Sequence, residues 1–406
     1  MRNAQYLAMF ATAWVSAVGA FAADWPNWRG PNHDGISPEK GFRTTWTEPP
    51  KILWRAPIGS GFSSFASVGD RVFTAGTKDG QQALFCLDAV TGREIWSLPF
   101  EKQRKDGQGG DGPRATPTVH DGRVYMQGGH GLLLCVSAQD GKEIWRKQFS
   151  DEPQWGYAGS VLIEGDMAVA CGGGKDGSLV AFDRKTGDVI WKCAEDKVGY
   201  ATPYPFTFNG KRYIVGFLAR QAIVAEAKTG REVWREPWET EWKVNAPTPI
   251  FHDGYLFLSS GYSTGCALYK LSARGDGLTG EKVWGISKVL MSRFQTCVLR
   301  DGVLYGSDQS RAFKCVEFLT GKELWHEDGY ANATVLLADG HLVVLKDRGK
   351  LVIAPVSSKG FKPTGEAEIL AGGPKRNQCW TIPTLCNGKL FARNLKEAVC
   401  VDLSGR

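Results

Sequence analysis

The stretch Thr91-Gly92-Arg93-Glu94-Ile95-Trp96 is one of six copies of a single motif, in which a turn is followed by charged residues, an aliphatic residue and tryptophan. Successive copies lie 41 to 50 residues apart. A sequence period in the forties is typical of the blades of a β-propeller. The six copies end at Trp96, Trp145, Trp191, Trp234, Trp284 and Trp325.

A second motif occurs once in each period and pairs an acidic or Asn residue with glycine between two apolar runs. Such pairs favour tight β-hairpins, because type I′ turns need a positive φ at both central residues. The motif therefore predicts eight hairpins. The pairs are Gly69-Asp70, Asp121-Gly122, Glu164-Gly165, Asn209-Gly210, Asp253-Gly254, Asp301-Gly302, Asp339-Gly340 and Asn387-Gly388.

Eight hairpin pairs but six tryptophan motifs indicate that two units are atypical. The seventh, at about 333–370, has a lengthened turn and ends without tryptophan. The eighth stops at its turn, and the missing strand is found at the other end of the chain, where Lys51-Ile52-Leu53-Trp54-Arg55 matches residues 142–146. The N-terminal strand is expected to complete the last blade and close the ring, which removes open sheet edges. We predict an all-β, eight-bladed β-propeller of four-stranded antiparallel blades over residues 51–406.

The repeats resemble the pyrroloquinoline quinone (PQQ) type of propeller repeat, most clearly at residues 87–96 and 182–191. In that family the tryptophan docks between neighbouring blades. A large rigid aromatic side chain suits a seam between twisted sheets. The resemblance therefore implies a structural blade-docking role for Trp54, Trp96, Trp145, Trp191, Trp234, Trp284 and Trp325.

The resemblance extends to two branches of the family with different functions. Quinoprotein alcohol dehydrogenases hold PQQ and a calcium ion over the propeller channel. BamB-type outer-membrane assembly proteins bind partners and have no catalytic function. The adjacent-cysteine disulfide of many quinoprotein dehydrogenases has no counterpart here, because no two cysteines are neighbours.

The N-terminus resembles a secretory signal peptide over residues 1–22. Arg2 precedes an uncharged run from Tyr6 to Phe21, and Ala20-Phe21-Ala22 fits the cleavage pattern. No cysteine follows the cleavage site before Cys86, so a lipoprotein anchor is not expected. We expect a soluble periplasmic or secreted protein, with residues 23–50 forming an extended arm along the ring whose tryptophans cover a blade.

The charge distribution argues against a nucleic-acid partner. The formal net charge is +6, from 49 basic and 43 acidic residues, and the two signs are interspersed. No segment after the N-terminal run is long and apolar enough to span a membrane. We expect a monomer.

The ten cysteines and six histidines show no metal-binding spacing. Four cysteines occupy one repeat position that is alanine in two other blades, which indicates a small buried slot. We expect most of the thiols to be free, and the sequence does not decide whether one or two pairs form disulfides. No metal site and no catalytic residue is predicted. The four cysteines are Cys86, Cys135, Cys315 and Cys400.

The candidate binding residues come from one repeat position at the channel mouth. Alignment of the eight repeats gives Ser63, Arg114, Tyr157, Tyr200, Ala246, Phe294, Asn332 and Trp380, with Asn245, Arg293 and Gln378 beside them. Arg, Tyr, Asn and Trp suit the binding of anions, sugars or peptide, although they also serve to fill and solvate a channel mouth. The predicted ligand-binding or partner-binding rim is Arg114, Tyr157, Tyr200, Asn245, Arg293, Asn332, Gln378 and Trp380.

Nearby segments extend this mouth. The glycine-rich loop at residues 102–114 is the longest insertion, and is either a lid or a surface loop. Trp155 and Trp242 lie on neighbouring connections between blades. Exposed aromatic residues beside arginine are typical of binding hot spots.

Three functions are compatible with these residues, and the sequence does not separate the third, a substrate-binding partner of a periplasmic redox or degradative system, from the other two. The first is an exported, non-catalytic binding or scaffold propeller that binds envelope proteins or a glycan at the channel face, with no cofactor. The alternative is a compact dehydrogenase that depends on PQQ and calcium. That chemistry needs a carboxylate base and hard oxygen ligands for calcium, whereas the aligned ring carries no Asp or Glu. The first function is therefore favoured.

Overall fold

Eight antiparallel sheets, arranged as blades around a central axis, make up the fold in a computed structural model that describes residues 24–107, 109–372 and 378–405. The predicted all-β, eight-bladed propeller is confirmed. The predicted signal peptide, residues 1–22, lies outside the described residues. No helix within the described ranges is long and apolar enough to cross a membrane.

Each blade has four strands, labelled A to D from the axis outward. Blade 1 comprises Ala66–Val68, Arg71–Lys78, Gln81–Asp88 and Glu94–Lys102; blade 2 Thr118–His120, Arg123–Gln127, Leu132–Ser137 and Glu143–Gln148; blade 3 Leu162–Glu164, Met167–Ala170, Leu179–Asp183 and Val189–Cys193; blade 4 Tyr204–Phe208, Lys211–Phe217, Gln221–Glu226 and Glu232–Pro237. A single 3-10 turn, Gly174–Asp176, interrupts blade 3 between its strands B and C.

The second half of the ring repeats this arrangement. Blade 5 comprises Ile250–His252, Tyr255–Ser260, Gly265–Arg274 and Gly277–Ile286; blade 6 Val298–Arg300, Val303–Ser307, Ala312–Glu317 and Glu323–Asp328; blade 7 Thr334–Ala338, His341–Leu345, Lys350–Pro355 and Gly365–Glu368; blade 8 Thr384–Cys386, Lys389–Arg393, Glu397–Asp402 and the N-terminal strand Ile52–Pro57.

The ring is closed by the N-terminal strand. Ile52–Pro57 pairs antiparallel with Glu397–Asp402, which makes it strand D of blade 8. The A strands of blades 1 and 8 contact each other, as do those of blades 1 to 4 in succession and of blades 6 and 7, so the A strands surround the axis. The first and last segments of the propeller are therefore held in the same sheet.

The repeated tryptophans lie in the seams between blades. The Trp191 indole N–H donates to Ala227 O of the next blade at 3.1 Å, and its ring covers Gly230. A Cβ on Gly230 would lie 2.5 Å from that ring, and the φ of this residue is +71°. Five further seams have the same indole-to-carbonyl bond, made by Trp54, Trp96, Trp145, Trp284 and Trp325.

A β-bulge directs each of these tryptophans into its seam. The pairing of strands C and D shifts register at the aliphatic residue before tryptophan in seven blades, for example between Glu143 and Trp145. A bulge leaves one residue unpaired and changes the direction of the next side chain. Blade 7, which lacks the tryptophan, has a regular C–D pairing.

The predicted hairpins connect strands A and B on one end of the ring, which we call the hairpin face. Both turn residues have a positive φ in six of the eight pairs, as in Asn209 (+49°) and Gly210 (+74°). The connections from strand D to the next strand A, and those from B to C, lie at the opposite end. We call that end the loop face.

The arm, residues 24–50, does not simply run along the ring but enters the axial opening at the hairpin face. Trp25 forms a reciprocal backbone bridge with Ser67 in strand A of blade 1, at 2.8 Å in both directions. Val119 N in blade 2 donates to Pro26 O at 2.7 Å. Trp28 then bonds to Thr248 beside blade 5, on the far side of the opening, and Ile36–Ser37 pairs parallel with strand A of blade 7. The arm therefore spans this end of the channel.

Arg29 anchors the arm inside the ring. Its side chain is fully buried and donates to Asp34 O at 2.6 Å and Cys297 O at 3.0 Å. Burial lowers the pKa of this guanidinium. Only one of the arm tryptophans lies on an outer strand, since Trp46 packs on Gly365 of blade 7. The expectation that these tryptophans cover a blade therefore fits Trp46 and also Trp25, which is buried in the hydrophobic core of blades 7, 8 and 1, whereas Trp28 lines the cavity.

All ten cysteines are buried and unpaired. Burial raises the pKa of the Cys86 thiol to about 12 and that of Cys193 to about 11. Such thiols stay protonated at neutral pH, so they pack as small apolar side chains.

Candidate binding cavity at the loop face

A belt of hydroxyl side chains sets the position of the loops that enter the channel. The belt residue lies two positions before strand A in most blades and is the first residue of strand A in blade 7, and it is Ser or Thr in seven of eight blades. Ser64 N donates to Thr116 Oγ1, Thr116 N to Ser160 Oγ, and Ser160 N to Thr202 Oγ1, at 2.9 to 3.0 Å. Blades are thus tied to one another around the axis. The seven are Ser64, Thr116, Ser160, Thr202, Thr248, Thr296 and Thr334.

The residues that face the channel lie two positions before the belt residues, and we call this set the channel ring. Its eight members are Phe62, Arg114, Ala158, Tyr200, Ala246, Phe294, Asn332 and Trp380. All except Asn332 line one cavity of about 470 Å³ that opens at the loop face. Six of the eight positions are those of the sequence alignment.

In two blades the sequence alignment is wrong by one residue. Ser63 and Tyr157 were placed in the ring, whereas Phe62 and Ala158 occupy these positions. Ser63 is buried, and its hydroxyl accepts from Ala75 N at 3.0 Å. Tyr157 is buried in blade 3, and its hydroxyl donates to Gly172 O at 2.7 Å. The belt hydroxyl was the sequence signal that identifies the correct register.

Asn245 also lies behind the residues that line the cavity and does not face the cavity itself. Its amide donates to Leu218 O at 2.7 Å and Trp238 O at 3.0 Å, and its carbonyl accepts from Ser260 Oγ. It therefore holds the connection between blades 4 and 5. Asn332 and Gln378 are half-buried and do not line the cavity either. The cavity brings together Arg114, Tyr200, Arg293 and Trp380 of the predicted rim.

Aromatic side chains form most of the cavity wall. Trp380 stacks on Phe62 at 5.6 Å between ring centroids and contacts Phe294 at 4.8 Å. Trp155 meets Tyr200 edge-on at 6.0 Å. Trp242 and Tyr262 complete the wall beside the ring. Of these residues, Phe62 and Tyr262 were not singled out from the sequence, and Tyr262 belongs to the B–C turn of blade 5, which the ring alignment does not include.

Arg114 is held in place by its own loop. Its guanidinium forms an ion pair with Asp106 at 2.5 Å, donates to Trp155 O at 3.0 Å and lies 5.0 Å from the Phe62 ring. Burial lowers the pKa of Arg114, while the Asp106 carboxylate opposes this shift. Gly109 of the same 102–114 loop lines the cavity, so this insertion forms part of its wall. The positive charge of Arg114 is largely offset by Asp106.

Arg293 differs from Arg114 because no carboxylate in the described part of the chain forms an ion pair with it. Its guanidinium carbon lies 6.0 Å from the Tyr262 ring. Its Nε atom is buried without a hydrogen-bond partner, as is Trp380 Nε1. Buried donors without partners are uncommon, because each forfeits the hydrogen bond it makes in water. Both atoms are fully buried, so neither faces the open space of the cavity.

The floor of the cavity is provided by the arm. Trp28 enters from the hairpin face and lines the cavity, and its indole N–H donates to Thr248 Oγ1 at 2.9 Å. Hydroxyls of Ser160 and Thr202 lie at the same level of the wall. A residue of the N-terminal arm is thus part of the site, which no local sequence pattern indicates.

The residues of the cavity do not fit a calcium-dependent quinone site. Calcium takes six to eight oxygen ligands, usually including carboxylates. Among the described residues that line the cavity there is no Asp, Glu, Asn or Gln, and no cluster of three potential metal ligands occurs in the described ranges. A general base for alcohol oxidation would also have to be a carboxylate or another titratable group. The donor set therefore favours binding over this redox chemistry.

Comparison with known proteins identifies the family. The family model described as outer membrane protein assembly factor BamB matches residues 43–194 and 175–290. The chain is 25% identical over 294 residues to the outer membrane protein assembly factor BamB of Burkholderia pseudomallei (strain K96243), covering 68% of each chain.

Solved structures support the same fold. BamB from Moraxella catarrhalis is similar with a TM-score of 0.60 and 17% identity, over 86% of this chain and 96% of that one. A europium-containing methanol dehydrogenase is similar with a TM-score of 0.66 and 12% identity, over 91% and 89%. At these identities the structures show a shared propeller fold only. Because the matches to the family model together span residues 43–290, more than half of the chain, this protein belongs to the PQQ-like β-propeller family described as outer membrane protein assembly factor BamB.

Proposed function

We propose that this protein is a non-catalytic scaffold of the cell envelope that binds a protein of outer-membrane assembly at its loop face. The proposal draws on the name of the Burkholderia pseudomallei relative, an outer membrane protein assembly factor. It also draws on the surface at the cavity mouth. The same relationship and the signal-like N-terminus support a periplasmic or secreted location as part of the proposal.

The observation that carries the proposal is the presentation of Trp242. Its side chain is 49% exposed, and it is the one aromatic residue among the large exposed apolar side chains of the described chain. Aromatic residues that are held rigidly and exposed are typical anchors of protein interfaces.

The turn that carries Trp242 is fixed on both sides. Trp238 is buried and donates to Ser260 Oγ at 3.0 Å. Val244 N donates to Thr240 Oγ1 at 2.6 Å, and Lys243 N to Thr240 O at 3.0 Å. Little conformational entropy is therefore lost when a partner covers the exposed indole.

Capture from envelope extracts tests the scaffold function. The purified wild-type protein is expected to retain a component of the outer-membrane β-barrel assembly machinery, identified by mass spectrometry. Trp242→Ala is expected to reduce recovery at least tenfold. Ile190→Ala is the matched control, because Ile190 is 47% exposed on the outer strand of blade 3, away from the mouth. Recovery of no assembly component, or equal recovery with both variants, would contradict the proposal.

The non-catalytic part of the proposal rests on the chemistry of the cavity wall. A titration with PQQ in the presence and absence of calcium, followed by tryptophan fluorescence, is expected to show no calcium-dependent binding. A dye-linked alcohol oxidation assay is expected to show no turnover. Calcium-dependent saturation together with turnover would instead establish a compact quinoprotein dehydrogenase.

The same wall argues against the glycan alternative. Sugar hydroxyls donate hydrogen bonds, and proteins usually meet them with carboxylate or amide oxygens. The described lining residues carry neither group. A protein partner is therefore the proposed ligand of the loop face.

A further inference from the structure

Positively charged side chains without ion pairs are concentrated on one half of the loop face, from blade 5 to blade 8. They lie in the connection between blades 5 and 6 and in the B–C turns of blades 6, 7 and 8. Within the described residues none of them forms an ion pair. We call this set the basic arc, and its members are Lys288, Arg293, Arg311, Lys346, Arg348 and Lys396.

The carboxylates on the same loops do not offset this charge. Asp308 is buried and forms an ion pair with Lys314 at 3.6 Å. Asp347 is the only other carboxylate on these loops, and it is half-buried between two members of the arc. Glu327 and Asp328 lie on strand D of blade 6, and neither forms an ion pair with a described member of the arc. The arc therefore presents more positive than negative charge.

The other half of the loop face differs, because its cations are paired. The loop at residues 102–114 and the B–C turn of blade 4 both carry basic residues, each beside an acidic one. These pairs leave little positive charge for a partner. They are Lys105 with Asp111, Arg114 with Asp106, and Arg220 with Asp196.

Hydrogen bonds join the loops of the arc from blade 5 to blade 7. Met291 N donates to Asp308 Oδ2 at 2.8 Å, which ties the connection between blades 5 and 6 to the B–C turn of blade 6. Tyr330 N donates to Arg311 O of that turn at 2.9 Å. Lys346 Nζ of blade 7 lies 4.0 Å from the centroid of the Tyr330 ring. Arg311 and Lys346 thus adjoin the same tyrosine.

The same kind of bond continues the arc from blade 7 to blade 8. Gly372 N donates to Arg348 O at 2.9 Å, and Asn394 Nδ2 donates to Ala371 O at 3.2 Å. The B–C turns of both blades are therefore tied to the connection between them. The basic arc is one continuous surface on loops that hold one another in place.

The backbone of Arg311 is strained without any gain for the fold. The residue directly before strand C is glycine with a positive φ in three blades, at Gly80 (+74°), Gly131 (+90°) and Gly349 (+94°). Blade 6 has Arg311 at this position with a φ of +77°, a conformation that favours glycine. The Arg311 side chain is exposed and makes no hydrogen bond or ion pair with a described residue. Strain of this kind is typical of functional sites.

We propose that the basic arc binds an acidic segment of the partner protein, an inference that rests on the scaffold function proposed above. Trp242 and Arg293 line the same cavity, so a partner that covers the exposed indole lies beside the arc. Complementary charge speeds association and sets the orientation of a partner. A peptide segment is favoured over a lipid bilayer, because a flat membrane does not reach Arg293 on the cavity wall.

Fluorescence polarisation with a labelled peptide of alternating Glu and Gly residues tests the charge complementarity without a natural partner. We expect saturable binding that weakens about tenfold when NaCl is raised from about 50 mM to about 500 mM, because salt screens exposed charges. A neutral peptide of alternating Gln and Gly residues is expected to show no saturation. Equal binding of the two peptides, or no binding of the acidic one, would overturn the proposal.

Arg311→Gly separates binding from folding. We expect this variant to weaken binding of the acidic peptide about twofold to fivefold, the usual effect of one exposed ion pair. Its thermal unfolding midpoint should be no lower than that of the wild type, because glycine relieves the positive φ. A variant that also carries Lys346→Met and Arg348→Met should lose about tenfold or more in affinity.

The matched control is Arg274→Met. Arg274 is exposed on the long hairpin of blade 5, away from the loop face, and its loss removes the same charge as Arg311→Gly. Peptide binding by this variant should stay within about 1.5-fold of the wild type. Equal weakening by Arg274→Met and Arg311→Gly would show that binding follows net charge and not the arc.

Vesicles distinguish a membrane from a protein partner. We expect no co-sedimentation with vesicles of phosphatidylglycerol and phosphatidylcholine at about 150 mM NaCl. Co-sedimentation that the triple variant loses would assign the arc to anionic lipid and overturn the proposal.

Capture from envelope extracts separates this inference from the scaffold function. Trp242→Ala should lose the assembly protein but keep the acidic peptide within about twofold, whereas the triple variant should lose both. Full capture by the triple variant, with loss in Trp242→Ala, would refute the basic arc alone. Peptide binding without capture of any assembly component by the wild type would refute the scaffold function and, with it, the assignment of the arc to that partner.

Discussion

At the scale of single residues, the seams between blades depend on a glycine beneath a tryptophan. Gly92, Gly141, Gly187, Gly230 and Gly321 all have a positive φ, and a Cβ on any of them would lie within 3 Å of a tryptophan of the preceding blade. The conformation and the close approach both select glycine.

We expect Gly230→Ala to destabilise the protein by about 2–4 kcal/mol, from the strain of a positive φ together with overpacking against Trp191. Gly210→Ala separates the two causes. Gly210 has a φ of +74°, close to the +71° of Gly230, but no atom lies within 4 Å of its would-be Cβ. The control should therefore cost only about 1 kcal/mol. Urea unfolding measures the loss of stability in both variants. Equal losses would show that the contact with Trp191 is unimportant.

Glu101 is a second residue with a measurable consequence. Burial raises its pKa to about 7, although Gln82 Nε2 and His130 N both donate to its carboxylate. The folded state thus binds a proton more tightly than the unfolded state does. Its contribution to stability is largest below pH 4.5 and is lost as the pH rises through about 7.

We expect the free energy of unfolding of the wild type, minus that of Glu101→Gln, to increase by about 1–3 kcal/mol as the pH falls from 8 to 5. The difference between wild type and variant is used because the protonation of His33 changes the stability of both proteins in the opposite direction. Burial lowers its pKa from 6.5 to about 4, so its contribution is present above pH 6.5 and is lost as the pH falls towards 4. Denaturant unfolding at several pH values gives the result, and a difference independent of pH would contradict it.

At the scale of elements, one buried side chain joins the backbone bonds in holding the arm. Arg29 reaches carbonyls on both the arm and blade 6, and no apolar residue can replace these donors. Its environment was not indicated by the sequence, since Arg29 lies in a segment without a repeat.

We expect Arg29→Met to cost about 2–4 kcal/mol, because it leaves buried carbonyls without donors. The loosened arm should become accessible to protease within residues 24–50. Limited proteolysis with mass spectrometry locates the cleavage, and urea unfolding gives the loss of stability. Arg43→Met is the control on the same arm, because the side chain of Arg43 makes only exposed bonds. Equal protease resistance of wild type and Arg29→Met would contradict an anchoring role.

At the scale of the whole molecule, ring closure makes the seam between blades 8 and 1 equivalent to the others. Trp54 at this seam and Trp191 at an internal seam are both 7% exposed. They donate to carbonyls at 3.2 and 3.1 Å, and each covers a glycine at the same close distance.

We expect Trp54→Ala and Trp191→Ala to destabilise the protein equally, by about 3–5 kcal/mol, within a single unfolding transition. Calorimetry and urea unfolding monitored by circular dichroism measure the loss and the cooperativity. A much smaller effect of Trp54→Ala would show that the closing seam is loose, and a separate early transition would show that blade 8 unfolds alone.

Most of the fold was predictable because each blade repeats local signals. The hairpin pairs, the Thr-Gly turns and the tryptophans recur at one period, and the match of residues 51–55 to an internal strand predicted the closure. These features depend on turn geometry and on strand alternation, which act over a few residues.

The candidate site was only partly predictable. Four residues of the predicted rim line the cavity, namely Arg114, Tyr200, Arg293 and Trp380. Tyr157 and Asn245 lie behind the lining residues instead. The connections between blades differ in length, so a one-residue error in alignment exchanges a side chain that faces the cavity for one that faces the core. Phe62 and Ala158 show this error directly.

The number of blades, the closing strand and the seam tryptophans could be predicted from the chain alone, since these follow from short-range repeats. The set of side chains that share the cavity, the entry of the arm at the hairpin end, and the unpaired buried donors of Arg293 and Trp380 emerge only when the blades pack together. Those features depend on contacts between segments hundreds of residues apart, such as Trp28 with Thr248, and no local pattern encodes them.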